Sequence, residues 1–201
     1  MNKKIFILII MVVSLLLIAI ATLWWLEERE IKGSPDDYVI KETAEGKIVE
    51  NKKAGLTVKV PEGWEVKKMG IEEGLKEGAI VFYSPNTERE LREGKKTLPL
   101  ESGCLIHIKL IYEKLNFPEI KMEVKYTHSI WGLETEEFEE ITINNYHGLK
   151  NIFSTRATGP GIGIYIPRSD KIYWINLFWA INEKESCNQE FDKFLETISI
   201  K

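Results

Sequence analysis

Three histidines and a group of glutamates are the residues of this chain that could carry out acid–base chemistry. A histidine beside a carboxylate can move protons near neutral pH, so Glu137 or Glu139 with His128 or His147 would suit a hydrolase. The histidines at 107, 128 and 147 are dispersed, and the sequence has no His-x-x-x-His spacing of a zinc site. We therefore predict no catalytic residue and no metal, and we keep a hydrolase as an alternative.

Two further segments partly match ion-binding or phosphate-binding patterns. Glutamates at 134, 136, 137, 139 and 140 could offer carboxylates to calcium, but the Asp, Asn and Gly pattern of a calcium loop is missing. Residues 159–163 are rich in glycine, yet no Lys-Ser/Thr pair follows them, as it would in a phosphate-binding loop. A solvated acidic face and a hairpin turn are the favoured interpretations, and no cofactor is predicted.

The two cysteines, Cys104 and Cys187, are too few for a disulfide scaffold and lack the CxxC spacing of a redox motif. Both fall on the inward face of their predicted elements, and outside the cytoplasm such a pair can be joined. Two explanations stay open. The cysteines form a disulfide, or they are buried thiols that behave as small hydrophobic side chains.

Aromatic residues are concentrated in the second half of the chain. Most aromatic side chains fill a core, but on a sheet face left uncovered by a helix they would form a groove for a peptide, glycan or lipid. The candidates for such a binding surface are Trp131, Tyr146, Tyr165, Tyr173 and Trp174, with Trp179 nearby in sequence.

An almost unbroken apolar run covers residues 5–26, with Lys3 and Lys4 before it and a tryptophan pair near its end. As a helix it would be about 33 Å long, close to the roughly 30 Å hydrocarbon core of a bilayer. We predict a cytoplasmic N-terminus at residues 1–4, a transmembrane signal anchor at 5–26, a tether at 27–37 and an extracytoplasmic domain at 38–201. The alternative is a signal peptide cleaved after Ala21, which would give a secreted protein.

The charge balance argues against a nucleic-acid partner. The chain has a net charge of −4, and without Lys3 and Lys4 the remaining 25 basic residues face 31 acidic ones. The predicted domain is long enough for one hydrophobic core and too short for two ordinary domains. Glutamate and lysine dominate the charged residues and Gln189 is the sole glutamine, a composition typical of proteins from hot environments.

Period-two alternation of apolar residues predicts an antiparallel sheet. In Cys104–Tyr112 the even-numbered residues share one face and the odd-numbered ones the other. Residues 120–126 also alternate and predict an edge strand. Hairpins are predicted from Tyr38–Thr43 with Lys47–Glu50, from Glu139–Ile143 with Leu149–Ala157, and from Ile162–Ile166 with Lys171–Ala180.

A C-terminal helix is predicted to begin at Ser186, because Gln189 three residues later completes a capping box. Its core-facing residues are Cys187, Phe191, Phe194, Leu195 and Ile198. A second helix is expected in 65–77 or 86–94. The predicted class is α+β: an antiparallel β-sheet with packed helices, an α/β/α-type sandwich, preceded by one N-terminal transmembrane helix.

The segment Gly55–Trp64 resembles the opening strand and Pro-x-Gly-Trp turn of the PsbP-like family, and Phe191 to Ser199 resembles its terminal helix. The order of strands and hairpins between them also fits, so the resemblance covers most of residues 54–201. It implies an antiparallel sheet between helices. It also implies a binding or assembly-support module, since no catalytic motif accompanies it.

These features together predict a membrane-anchored, extracytoplasmic binding or assembly-support module without evident catalysis. Its partners would be the lipid bilayer, through residues 5–26, and a protein or small ligand at the membrane surface. The alternatives are an extracytoplasmic hydrolase and a small structural subunit of a membrane complex.

Overall fold

The computed structural model describes residues 12–16, 34–70, 78–130, 132, 134–135, 138–155 and 159–201. The chain divides into two compact units, residues 1–32 and 33–201. In the part of the chain so described, no helix is both long enough and apolar enough to cross a membrane. The predicted anchor at 5–26 lies outside the described residues except for 12–16, so it stays a prediction.

The second unit is an α+β domain of antiparallel sheets with few helices, as predicted. Its helices are α1 (Arg89–Arg92), α2 (Phe117–Ile130) and α3 (Lys184–Glu196), with 3₁₀ turns at Pro35–Asp37 and Ile181–Glu183. Its strands are β1 (Tyr38–Thr43), β2 (Gly46–Asn51), β3 (Leu56–Lys59), β4 (Glu65–Met69), β5 (Ala79–Tyr83), β6 (Cys104–Ile111), β7 (Glu134–Thr135), β8 (Glu139–Ile143), β9 (Tyr146–Thr155), β10 (Gly159–Arg168), β11 (Lys171–Trp179) and β12 (Ser199–Ile200).

The strands form a large and a small sheet. The large sheet has the order β4-β5-β6-β11-β10-β9-β7, with β8 also paired to β9, and the small sheet has the order β1-β2-β3-β12. All three predicted hairpins are present, as β1–β2, β8–β9 and β10–β11. The chain crosses from the large sheet back to the small one after α3, where β12 pairs with β3.

The main core lies between the two sheets and includes the buried face of α3. The even-numbered residues of β6, from Cys104 to Leu110, point into it, while Leu105 and Ile111 join smaller apolar clusters on the opposite face. The predicted alternation of this strand is therefore confirmed. The predicted α/β/α sandwich would have helices on both sides of one sheet. On one side the structure instead has mainly the small sheet, because β1, β2, β3 and β12 pair with one another. Helix α2 covers part of the other face.

The structure joins Cys104, at the start of β6, to Cys187, in the first turns of α3, by a disulfide. Their Cα atoms are 5.7 Å apart, and the bond closes a loop over 83 residues of sequence. Nearby, the rings of Phe82 and Phe194 meet edge to face at 5.0 Å. The C-terminal helix is thus fixed to strands β5 and β6 of the large sheet by a covalent bond and by aromatic packing.

Residues 120–126 do not form the predicted edge strand, because they lie within helix α2. Ile120 and Val124 are buried and Met122 and Tyr126 are exposed. In a helix, residues four apart share a face, so these residues form two opposite stripes. All four residues are apolar or aromatic and lie two apart in sequence, so together they imitate the alternation of a strand although they belong to two different faces of the helix.

The start of the C-terminal helix also differs from the prediction. Helix α3 begins at Lys184, directly after the turn Ile181–Glu183, so Ser186 lies inside its first turn. The Ser186 hydroxyl donates to the Glu183 carbonyl oxygen at 3.0 Å and does not cap the helix. The predicted core positions in α3 are buried, and Ile198 is buried just beyond the helix end. The second predicted helix is the short α1 within 86–94, whereas 65–69 is strand β4.

Candidate ligand-binding cavity

A cavity of about 480 Å³ lies between α2 and the outer face of the large sheet. Strands β6, β9, β10 and β11 supply its floor, and α2 with the segment before it supplies one wall. The apolar lining residues are Ile111, Leu115, Ile120, Val124 and Ile172, and the aromatic ones are Phe153, Tyr165, Trp174 and Phe178. Its size and apolar walls are those of a small-molecule site.

Helix α2 is positioned by a reciprocal cap at its start. The Asn116 side chain accepts from the Glu119 amide at 3.0 Å, and the Glu119 carboxylate accepts from the Asn116 amide at 2.7 Å. The helix then presents Ile120, Val124 and His128, spaced by four residues, to the sheet. The His128 ring meets the Phe153 ring at 5.4 Å. The cap and this apolar stripe together fix the wall of the cavity.

Strand register sets the floor. His107 of β6 pairs with Asn176 of β11, which pairs with Gly163 of β10. The neighbouring row is formed in the same way by Lys109, Trp174 and Tyr165. Because directly opposed residues of antiparallel strands point to the same face, both rows face α2.

Two glycines in β10 make room for the side chains that shape this floor. A Cβ at Gly163 would lie 2.7 Å from Asn151 Oδ1 and 3.0 Å from the Tyr165 hydroxyl. A Cβ at Gly161 would lie 2.5 Å from the ring of Phe153. The side chains of Asn151, Phe153 and Tyr165 therefore lie across the backbone of β10, where any larger residue would displace them.

Four polar atoms of the lining are buried without a hydrogen-bond partner among the residues the structure describes. They are His107 Nε2, Tyr165 Oη, Trp174 Nε1 and Asn176 Oδ1, and we call them the cavity polar set. Tyr165 and Asn176 are each 2% exposed. Leaving such an atom unsatisfied costs about 1–3 kcal/mol, so native folds tolerate few of them. Because all four atoms line one cavity, they can form hydrogen bonds to a molecule bound there.

The cavity polar set is uncharged near neutral pH. Burial, with a smaller effect from Lys109, lowers the pKa of His107 to about 4, and burial also lowers the pKa of His128. Burial raises the pKa of the Tyr165 hydroxyl well above its usual range; the nearby Trp174 opposes this rise, although neither forms a hydrogen bond of good geometry with a described residue. The imidazole and the phenol are therefore both neutral.

Aromatic rings form much of the lining. The rings of Tyr165 and Trp174 are stacked, with centroids 5.8 Å apart and an angle of 16° between their planes. The rings of Phe153 and Phe178 meet edge to face at 5.6 Å. Lys109 Nζ lies 5.6 Å from the centroid of the Trp174 ring, a cation–π distance. The walls can therefore contact a planar ligand over its faces and edges.

The aromatic residues predicted to form one binding surface lie in different parts of the structure. Tyr165 and Trp174 line the cavity, whereas Tyr173 and Trp179 are buried in the main core. The Tyr146 hydroxyl donates to the Ile200 carbonyl oxygen at 2.7 Å and accepts from the Ile200 amide, at the junction with the small sheet. Trp131 lies outside the described residues.

Sequence reasoning missed His107 and Asn176 as members of this site. A signal was present, because each is a polar residue within a largely apolar strand, on the face opposite the main core. Alternation alone assigns such a residue to solvent or to the core. The register of β6 against β11 is what places the two together.

The residues considered for hydrolysis have other surroundings. His128 lies on the buried face of α2, and His147 is exposed, with its Nδ1 3.3 Å from the Thr142 hydroxyl. Glu139 is exposed and lies 3.7 Å from Lys150, while Glu137 is outside the described residues. Where the structure describes the chain, His, Cys, Asp and Glu form no cluster of three that could hold a metal ion.

No protein-family model and no curated protein matches the chain by sequence. Among solved structures, cyanobacterial PsbP from Synechocystis is similar, with a TM-score of 0.50 and 10% identity over 82% of this chain and 92% of that one. A protein of unknown function from Pseudomonas aeruginosa has a TM-score of 0.46 and 8% identity over 82% of this chain and 97% of that one. A Bacteroides thetaiotaomicron structure has a TM-score of 0.43 and 13% identity over 73% and 45%. The chain therefore has a PsbP-like fold, which confirms the resemblance at the level of fold.

Proposed function

We propose that residues 33–201 form a binding module that holds a small, largely apolar ligand in the cavity between α2 and the large sheet. The observation that carries this proposal is the cavity polar set, which lies in an apolar cavity of about 480 Å³. Ligand pockets typically combine apolar walls with a few polar groups that fix orientation.

The energetics favour occupation of the cavity. A ligand that fills it removes apolar surface from water, at roughly 25 cal/mol for each Å². A ligand that also reaches the cavity polar set forms hydrogen bonds with atoms that have already lost their hydration in the folded protein, so binding adds little further desolvation penalty for them. Both effects stabilise the bound state, so binding should raise the stability of the domain by mass action.

The proposal includes the predicted location, with the domain held outside the cytoplasm by the segment at 5–26. The apolar length of that segment supports an anchor. The pairing of Cys104 with Cys187 supports an extracytoplasmic location, because disulfides persist in oxidising compartments. Alkaline extraction of membranes from expressing cells tests the anchor, which requires the full-length chain to stay in the pellet.

Binding is tested with N-phenyl-1-naphthylamine, whose fluorescence rises in apolar surroundings. The test uses residues 33–201, since this unit contains its own hydrophobic clusters. Thr127 lines the cavity from α2, so Thr127→Phe should fill it and weaken binding at least tenfold. Ser129 is exposed on the same helix, so Ser129→Phe is the matched control and should bind like the wild type.

The proposal is overturned if the wild type does not bind the probe, or if Thr127→Phe and Ser129→Phe bind it equally well. Circular dichroism of both variants checks that their secondary structure is unchanged. A loss of binding in a variant that has also lost its fold is discounted, and Val124→Phe then provides a second way of filling the same cavity.

A further inference from the structure

We infer that the ligand of this cavity is an uncharged, planar molecule of one or two aromatic rings, carrying a hydrogen-bond acceptor and a donor at its edge. This inference rests on the proposed function, which requires only that some small apolar molecule be bound. It is carried by the positions of the cavity polar set on the sheet, by the aromatic walls and by the charges around the cavity.

The floor has the outline of a small planar ring system. Trp174 and Asn176 are two residues apart on β11, which is about 7 Å along a strand. From Tyr165 on β10 across β11 to His107 on β6 is two strand spacings, or about 10 Å. These backbone positions span an area of about 7 by 10 Å, and a flat molecule lying on it could reach several members of the cavity polar set at once.

The polar atoms specify complementary groups. An indole N–H can only donate, so Trp174 requires an acceptor on the ligand. A carboxamide oxygen can only accept, so Asn176 requires a donor. The Tyr165 hydroxyl and the neutral His107 ring can serve in either role. A ring with a hydroxyl group, or a ring amide with adjacent N–H and C=O, carries both functions.

The charges around the cavity favour a neutral ligand. Its deeply placed polar groups are uncharged, and the lining carboxylates Glu113 and Glu123 are exposed. Lys109 is the half-buried cation of the lining, and its ammonium lies over the ring of Trp174. A buried ionic group on the ligand would lose its hydration without a partner dedicated to it, which is costly.

Four probes of similar size separate these requirements in residues 33–201. Naphthalene is flat and apolar, 2-naphthol adds a neutral hydroxyl, 2-naphthoate adds a negative charge, and 1-decanol is a neutral aliphatic alcohol. Titrations are followed by ¹H–¹⁵N NMR, where Trp174→Phe assigns the indole signal of Trp174. We expect 2-naphthol to bind at least tenfold more tightly than each of the others and to shift the Trp174 indole N–H resonance downfield.

Two variants test the hydrogen bonds directly. Trp174→Phe retains an aromatic ring and removes the donor, and Asn176→Leu retains the approximate volume and removes the acceptor. Each should weaken 2-naphthol binding severalfold more than it weakens naphthalene binding, because only 2-naphthol can use the lost hydrogen bond. The ratio of the two affinities in each variant therefore separates the lost hydrogen bond from any change in the fold or in the shape of the cavity.

The outcomes distinguish this inference from the proposed function. If naphthalene binds as tightly as 2-naphthol, or 1-decanol binds most tightly, the cavity binds ligands but the inferred class is wrong. If 2-naphthoate binds most tightly, the ligand is an anion that pairs with Lys109, and the inference of a neutral ligand fails. If none of the four probes binds and N-phenyl-1-naphthylamine does not bind either, the proposed function itself fails.

Discussion

His107 and Asn176 face each other on adjacent central strands, β6 and β11, and each holds a buried polar atom without a partner among the described residues. Central strands of a sheet covered on both sides are normally lined by apolar side chains. Two polar residues at this depth weaken the fold unless something satisfies them. Both residues line the apolar cavity, and the proposed binding function rests on this position.

The burial of His107 predicts that stability falls in mild acid. The pKa of His107 is about 4 in the folded state and about 6.5 when unfolded, so the unfolded chain binds more protons between these values. The contribution of neutral, buried His107 to the free energy of unfolding is fully present above about pH 6.5 and is lost as the pH falls towards 4. The difference between the two pKa values limits this contribution to about 3–4 kcal/mol. Urea unfolding of the wild type and His107→Gln from pH 7.5 to 4.5 measures it.

Subtracting the free energies of unfolding of the two proteins at each pH isolates the effect of His107 titration, because the acidic groups and His128 are common to both proteins. The difference in the free energy of unfolding between the wild type and His107→Gln should change in favour of the variant as the pH is lowered. A difference that stays constant with pH would show that folding does not lower the pKa of His107.

The disulfide should make a large contribution to stability. Closing a loop of this length restricts the unfolded chain and stabilises the fold by about 4 kcal/mol in the chain-entropy model. Replacing Cys104 and Cys187 together by serine should therefore lower the urea midpoint strongly, and a reductant should have the same effect on the wild type and none on the variant. Iodoacetamide labelling of the denatured, unreduced protein would contradict the pairing if it modified both cysteines.

Truncating a side chain to alanine should destabilise the protein strongly on the buried stripe of α2 and hardly at all on its exposed stripe. Ile120 is 1% exposed, so Ile120→Ala should lower the free energy of unfolding by about 2–5 kcal/mol. Met122 is 69% exposed, so Met122→Ala should change it by less than about 0.5 kcal/mol. An edge strand would place both residues on one face. Similar losses for the two variants in urea unfolding would thus argue against the helix.

Gly163 is predicted to be intolerant of even one additional carbon. A Cβ there would press on Asn151 and Tyr165, so Gly163→Ala should cost about 1–3 kcal/mol and weaken probe binding by moving the Tyr165 ring. Gly94 has a positive φ of 73° and open space around it, so Gly94→Ala should cost about 1 kcal/mol from backbone strain. Gly94→Ala should leave probe binding unchanged. If Gly163→Ala binds the probe as tightly as Gly94→Ala, Gly163 is not needed for the shape of the cavity.

Local patterns in the sequence predicted much of the architecture correctly. The alternation in β6, the hairpins β1–β2 and β10–β11, and the buried face of α3 follow from side-chain periodicity and turn residues. The same reasoning failed at residues 120–126, where the pairs 120/124 and 122/126 fit a strand and a helix alike. The Asn116–Glu119 cap was legible in the sequence and would have favoured the helix.

The amino-acid sequence by itself determined the α+β class, the PsbP-like order of elements and the inward positions of the two cysteines, because these depend on local periodicity and on short-range turns. The cavity was decided by tertiary structure alone. Strand register brings His107, Tyr165, Trp174 and Asn176 together from three strands, and the packing of α2 leaves space above them. Register and helix placement depend on long-range packing, so residues far apart in sequence meet in a site that their local patterns do not reveal.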